Sequence, residues 1–146
     1  MTGIRVSLAY PEVFACQIRA LLHATEGLGN LHILLPMVGT VSEVVRAYEL
    51  IRKNSAILAA SGVETTQPPI GIMVEIPSVL YLIKEIAEQV DFFSIGTNDL
   101  AQYPMASVRG NPDVAELHDH FQLSVLRAIA TVIDVGRCYV AGRNGH

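Results

Sequence analysis

Two acidic side chains stand where apolar segments stop. Glu75 closes the run Ile70-Gly71-Ile72-Met73-Val74, and Asp99 comes three residues after Gly96, which ends Asp91-Phe92-Phe93-Ser94-Ile95. A carboxylate at the end of a buried strand is costly to desolvate alone, and a divalent cation offsets that cost. Magnesium takes one or two protein carboxylates and leaves its other positions to water and substrate oxygens, so two acids from neighbouring strands suit it; manganese is the alternative ion. Asn98 and Arg109 flank the same loop and offer, respectively, a neutral donor and a planar fork of donors for a phosphate. A purely structural account also fits these residues: Glu75 capping a helix that begins near Pro77, Asp99 making a turn, Arg109 solvated.

The other reactive residue types are scattered. Cys16 and Cys138 provide neither a disulfide framework nor metal-ligand spacing. Of the five histidines, His23 and His32 fall in a helix and a strand, where packing or a surface position is expected. His118 and His120 form a His-Asp-His triplet without a third ligand and read as a solvated pair.

The acids need parallel strands to bring them together, and the pattern supplies these. Pro11 suits a first helical position, and Val13, Phe14, Ile18, Leu21 and Leu22 continue at helical spacing until Gly27 and Gly29. Residues 31–37 form a short apolar run between Asn30 and Gly39, expected as a buried strand. Thr40 and Glu43 make a capping-box pattern, followed by the stripe Val41, Val44, Val45, Tyr48, Leu50, Ile51, Ile57 and Leu58 up to Ala60. Residues 61–69 read as a loop, 70–75 as a strand, and Val79, Leu80, Leu82, Ile83, Ile86 and Ala87 as one helix after Pro77. Residues 91–95 form a third strand, residues 97–112 a long polar loop, and residues 122–133 a last helix with Leu123, Leu126, Ile129 and Val132 on one side. Alternating strand and helix predicts an α/β fold with a parallel sheet.

Composition agrees. The chain has 146 residues, 51% hydrophobic and 16% charged, as suits one α/β domain whose strands are covered by helices. Its net charge of -4, with no cluster of lysine or arginine, argues against a nucleic-acid surface. Charged residues interrupt every apolar run before it reaches a membrane span, and a cytoplasmic setting is expected.

The segment VDFFSIGTNDLAQY, residues 90–103, resembles the second signature of the phosphoenolpyruvate-utilising enzymes, and GIMVEIPS, residues 71–78, resembles the metal-ligand strand that precedes it. With LHILLPMVGTVSEV and IRVSLAYPEVFACQIRALL, the similarity runs from about residue 3 to 133, leaving 134–146 as a divergent tail of a single domain. Within that family the chain is most similar to enzyme I of the bacterial phosphoenolpyruvate-dependent phosphotransferase system, particularly its nitrogen-regulatory form. The resemblance implies part of a (β/α)8 TIM barrel of the phosphoenolpyruvate/pyruvate-binding type. It implies that Glu75 and Asp99 coordinate magnesium, and that Asn98 and Arg109 contact the phosphate of phosphoenolpyruvate. The implied reaction passes the phosphoryl group to a histidine on a separate amino-terminal domain and thence to a small phosphocarrier protein of the HPr type, in full-length proteins that form homodimers.

Three departures from the family's pattern bear on activity. Thr2 stands where the family has a substrate-binding arginine before Gly3-Ile4-Arg5. The loop reads Ala106-Ser107-Val108-Arg109 where an aspartate usually precedes the arginine, and Pro104 follows the Gln-Tyr pair. The family's Cys-Gly-Glu acid is missing, and Cys138, in Gly136-Arg137-Cys138-Tyr139, lies too early to replace it. The expectation is therefore a barrel segment, from a truncated or frameshifted gene, that is incomplete for catalysis alone. A fragment of a pyruvate phosphate dikinase or phosphoenolpyruvate synthase and a non-catalytic interaction module are the alternatives.

Overall fold

The computed structural model describes residues 3–24, 26–64, 67–102 and 123–140. Three short strands, β1 (Ile33–Leu35), β2 (Ile70–Val74) and β3 (Phe92–Ile95), pair in parallel in chain order. Ile33 lies opposite Ile70, and Val74 opposite Ile95, so all three strands end at the same side of the sheet. The predicted α/β class with parallel strands is thus observed.

Helices connect the strands. They are α1 (Ile4–Ala9), α2 (Pro11–Ala24), α3 (Val41–Ala60), α4 (Ser78–Tyr81), α5 (Ile83–Ala87), α6 (Thr97–Gln102) and α7 (Leu123–Val135), followed by a π-helical turn, Gly136–Val140. α2 packs on α3, α3 on α5 and α5 on α7, forming a layer beside the sheet. Ile33, Leu35, Ile70, Ile72 and Val74 share one buried cluster with Ile18, Val44, Ile51 and Ile86 from that layer. Leu34, between two buried neighbours, is 37% exposed: alternation along the strand turns it to the other face.

The capping box at α3 forms in full, with the Thr40 side chain accepting from the Glu43 N–H and the Glu43 carboxylate returning to the Thr40 N–H. Its buried stripe is Val44, Ala47, Ile51, Asn54, Ser55 and Leu58, whereas Val45 and Ile57 face outward. Buried Asn54 is satisfied by donating to the Leu50 carbonyl and accepting from Arg19 Nη1, each in a hydrogen bond near the 2.7–2.8 Å typical of strong pairs. Tyr48, on the same helix, donates to the Ile70 carbonyl at 3.0 Å and lies 3.2 Å from Asp91 Oδ2, which also accepts from the Ile70 N–H. These bonds tie α3 to the amino-terminal ends of β2 and β3.

Several expectations need correction. α1 is an additional helix, and β1 keeps only the centre of the run 31–37. The helix expected after Pro77 is divided at Leu82, whose N–H closes a tight three-residue turn on the Val79 carbonyl. Residues 97–102 form α6 instead of loop: the Leu100 N–H reaches back to the Gly96 carbonyl at 3.0 Å, and Leu100 and Ala101 are buried. α7 buries Val125, Ala128, Val132 and Val135 rather than the face with Leu123 and Leu126, because both of its faces are apolar and only packing chooses between them. Among the described residues no helix is long and apolar enough to cross a membrane.

Candidate functional site

The site grows from the parallel register. Glu75 immediately follows β2, and Gly96 immediately follows β3, with the Gly96 N–H donating to the Val74 carbonyl at 3.0 Å. A side chain at position 96 would place its Cβ 2.9 Å from that of Glu75, so only glycine lets the end of β3 run beside the acid. From Gly96 the chain turns directly into α6, whose first turn carries Asn98, exposed, and Asp99, partly buried. An acid in a first helical turn is favoured by the exposed N–H groups there.

Glu75 is only 3% exposed. Its Oε1 accepts the Met37 backbone N–H at 2.6 Å, and the Asp99 carboxyl neighbours it. Burial pushes the Glu75 carboxyl above its usual range, the Met37 N–H works against this, and neighbouring Asp99 pushes it up further. Two neighbouring carboxylates repel one another, and burial adds to the cost of charging Glu75. A divalent cation between them would satisfy both acids, so this donor pair fits the magnesium chemistry expected of it. Groups of three or more potential metal ligands do not occur among the described residues; two carboxylates with water and substrate oxygens would have to suffice.

The capping alternative for Glu75 is corrected by these contacts. Pro77 stands at the N-cap of α4, no side chain caps that helix, and Glu75 turns to Met37 instead. Arg109 lies outside the described residues, as do His118 and His120. Cys138 is exposed in the π-helical turn, a segment whose Gly136 lies against the Phe93 ring. Phe93 pairs with buried Ile72 in register, on the helix-covered side of the sheet. Sequence reasoning did not find Met37, because the contribution is a backbone N–H and nothing in its residue type announces it.

The profile of the family described as PEP-utilising enzyme, PEP-binding domain, matches residues 1–141. The chain belongs to that family. Curated relatives agree: a "Phosphoenolpyruvate-dependent phosphotransferase system" protein of Escherichia coli (strain K12) is 45% identical over 131 residues, covering 89% of this chain and 18% of that protein. "Phosphoenolpyruvate-protein phosphotransferase" of Haloferax volcanii is 45% identical over 144 residues, covering 94% of this chain and 26% of the relative. The protein of that name from Listeria monocytogenes is 45% identical over 133 residues, 90% and 23% of the two chains. This PEP-binding domain chain therefore spans about a fifth to a quarter of the length of the relatives it matches. The resemblance first carried by the segments around Glu75 and Asp99 extends to nearly the whole chain.

Proposed function

We propose that the chain is a phosphoenolpyruvate-binding segment of a phosphoenolpyruvate-protein phosphotransferase, in which Glu75 and Asp99 hold Mg2+ or Mn2+ and Asn98 and Arg109 take the phosphate of phosphoenolpyruvate. The observation that carries this proposal is the juxtaposition of Glu75 and Asp99 at the carboxyl ends of consecutive parallel strands, where Gly96 brings the start of α6 against buried Glu75. Strands that pair in chain order, with a helix layer beside them, support placing the segment in a (β/α)8 barrel, where chemistry gathers at that end.

When bound, the cation supplies positive charge where negative charge gathers during phosphoryl transfer. The chain's own residues do the rest. The Met37 N–H orients the Glu75 carboxylate, and Gly96 sets the approach of α6 so that Asp99 meets it. Exposed Asn98, next in line on the same helical turn, offers its amide to a phosphate oxygen, and Arg109 supplies a two-pronged donor. In this proposal the phosphoryl group leaves for a histidine on another domain of a longer protein, and then for a phosphocarrier protein of the HPr type.

Calorimetry with phosphoenolpyruvate, with and without Mg2+, tests the proposal. Binding should require the cation and weaken at least about tenfold in Glu75→Gln and Asp99→Asn, as expected when a charged, hydrogen-bonded ligand is neutralised. Cation-independent binding, or binding indifferent to both substitutions, would overturn it.

A non-catalytic interaction module has one observation in its favour: an apolar groove of about 510 Å3 lined by Ile4, Phe14, Ile18, Leu21 and Leu34 beside β1. A monomer with native far-UV circular dichroism on size exclusion would count against it.

A further inference from the structure

The Gly3-Ile4-Arg5 element contributes no ligand to the proposed site, yet all three residues converge on the turn after β1. The Ile4 N–H donates to the Pro36 carbonyl at 3.1 Å, and its side chain is buried in the core. Gly3, at φ 58°, sits so close that a Cβ there would fall 2.5 Å from that of Met37. Arg5 Nε donates to Glu43 Oε1 at 2.8 Å. Glu43 Oε2 in turn accepts the Gly39 and Thr40 N–H groups at 2.7 and 3.0 Å. Ser78 Oγ donates to the Gly39 carbonyl at 3.2 Å, tying the turn to the start of α4.

This clamp holds an unfavourable backbone. Met37 has φ 55°, and among the described residues no other non-glycine residue has a positive φ. Such a conformation persists only where the surroundings over-determine it. In it, the Met37 N–H donates to Glu75 Oε1; a return to negative φ would swing the chain after Met37 against the peptide that carries this donor, so the donor and the clamped residues 39–40 could not both keep their places.

We infer that Gly3, Ile4, Arg5 and Met37 are positioning residues for the cation site: the first three hold the turn at residues 36–40 with Met37 left-handed, and so preset the Glu75 carboxylate against Asp99. The inference rests on the proposed role of Glu75 and Asp99 as cation ligands. Its physical logic is that of outer partners, which orient a ligand before the metal arrives.

Two measurements on the full chain test it: Mn2+ affinity by titration with electron paramagnetic resonance detection, and amide hydrogen exchange at Met37 by NMR. Gly3→Val and Arg5→Gln should each speed Met37 exchange and weaken Mn2+ binding about tenfold, the scale on which lost outer partners act. Wild-type Mn2+ affinity in both Gly3→Val and Arg5→Gln, with Glu75→Gln still losing it, would overturn the positioning role and leave the cation site standing. Weakened binding with unchanged Met37 exchange would also overturn it. Mn2+ binding that survives Glu75→Gln would remove the cation site, and the positioning role with it. If Gly3→Val does not fold, Arg5→Gln decides, since that side chain is half exposed and its loss leaves the core intact.

Discussion

Met37 and Glu75, 38 residues apart in sequence, are joined by a 2.6 Å hydrogen bond from a left-handed backbone N–H to a buried carboxylate. That bond crosses from the end of β1 to the end of β2. It sets one oxygen of an acid whose other close neighbour is Asp99, at the end of β3. Three consecutive strand ends therefore meet at one carboxylate, and the consequences can be measured.

Divalent cations should stabilise the chain. A cation that binds only the folded form adds about 2.7 kcal/mol at a concentration roughly 100 times its dissociation constant. Thermal unfolding with and without Mg2+ or Mn2+ should show a higher Tm for the wild type and no shift for Glu75→Gln or Asp99→Asn. A wild-type shift that persists in both variants would place the cation elsewhere.

Without cation, Glu75 should make stability fall with rising pH. Burial, then Asp99, raises its carboxyl above the usual value in the folded chain. The folded chain then binds a proton that the unfolded chain has already released. Its stabilising effect is fully present below the unfolded value and is lost as pH rises through the folded value. Urea unfolding across that window should show the decline in the wild type and a flatter profile in Glu75→Gln. Equal slopes would contradict the raised value.

Glu43 should behave in the opposite sense. Burial raises its carboxyl, but hydrogen bonds from Arg5 and from the Gly39 and Thr40 backbone, together with the Arg5 charge, leave it below the usual value. Stability from this group is present above the unfolded value and lost as pH falls through the folded one. Glu43→Gln should cost about 1 kcal/mol at neutral pH, the scale of a helix cap. The gap from wild type should close in acid, as followed by denaturant unfolding; a gap independent of pH would assign the effect to packing.

Gly96→Ala should damage the site more than the fold. The added Cβ would lie 2.9 Å from the Glu75 Cβ and 3.3 Å from Met73 Cγ, so the end of β3 must move and carry α6 with it. Cation affinity should fall, while far-UV circular dichroism stays near wild type. By contrast, Ile51→Ala, at a fully buried position in α3, should cost about 3 kcal/mol and leave cation affinity per folded molecule unchanged.

The sequence by itself determined the three strands in their order, the long helices α2 and α3, the capping box at Thr40 and Glu43, and the candidate acids Glu75 and Asp99. Each is a local signal: an apolar run bounded by glycine or proline, a spacing of three residues, an acid at the end of a run. Tertiary structure decided the rest. The face that α7 buries depended on its neighbours, because Leu123 and Val125 are both apolar and periodicity cannot rank them. α6 replaced a polar loop because Leu100 and Ala101 found a core to enter. Above all, the meeting of Glu75 with Asp99 and with the Met37 N–H required the parallel register of three strands and a backbone turned to positive φ. Register is a relation between distant segments, and a left-handed methionine is disfavoured in isolation; only the contacts of the folded chain hold either in place.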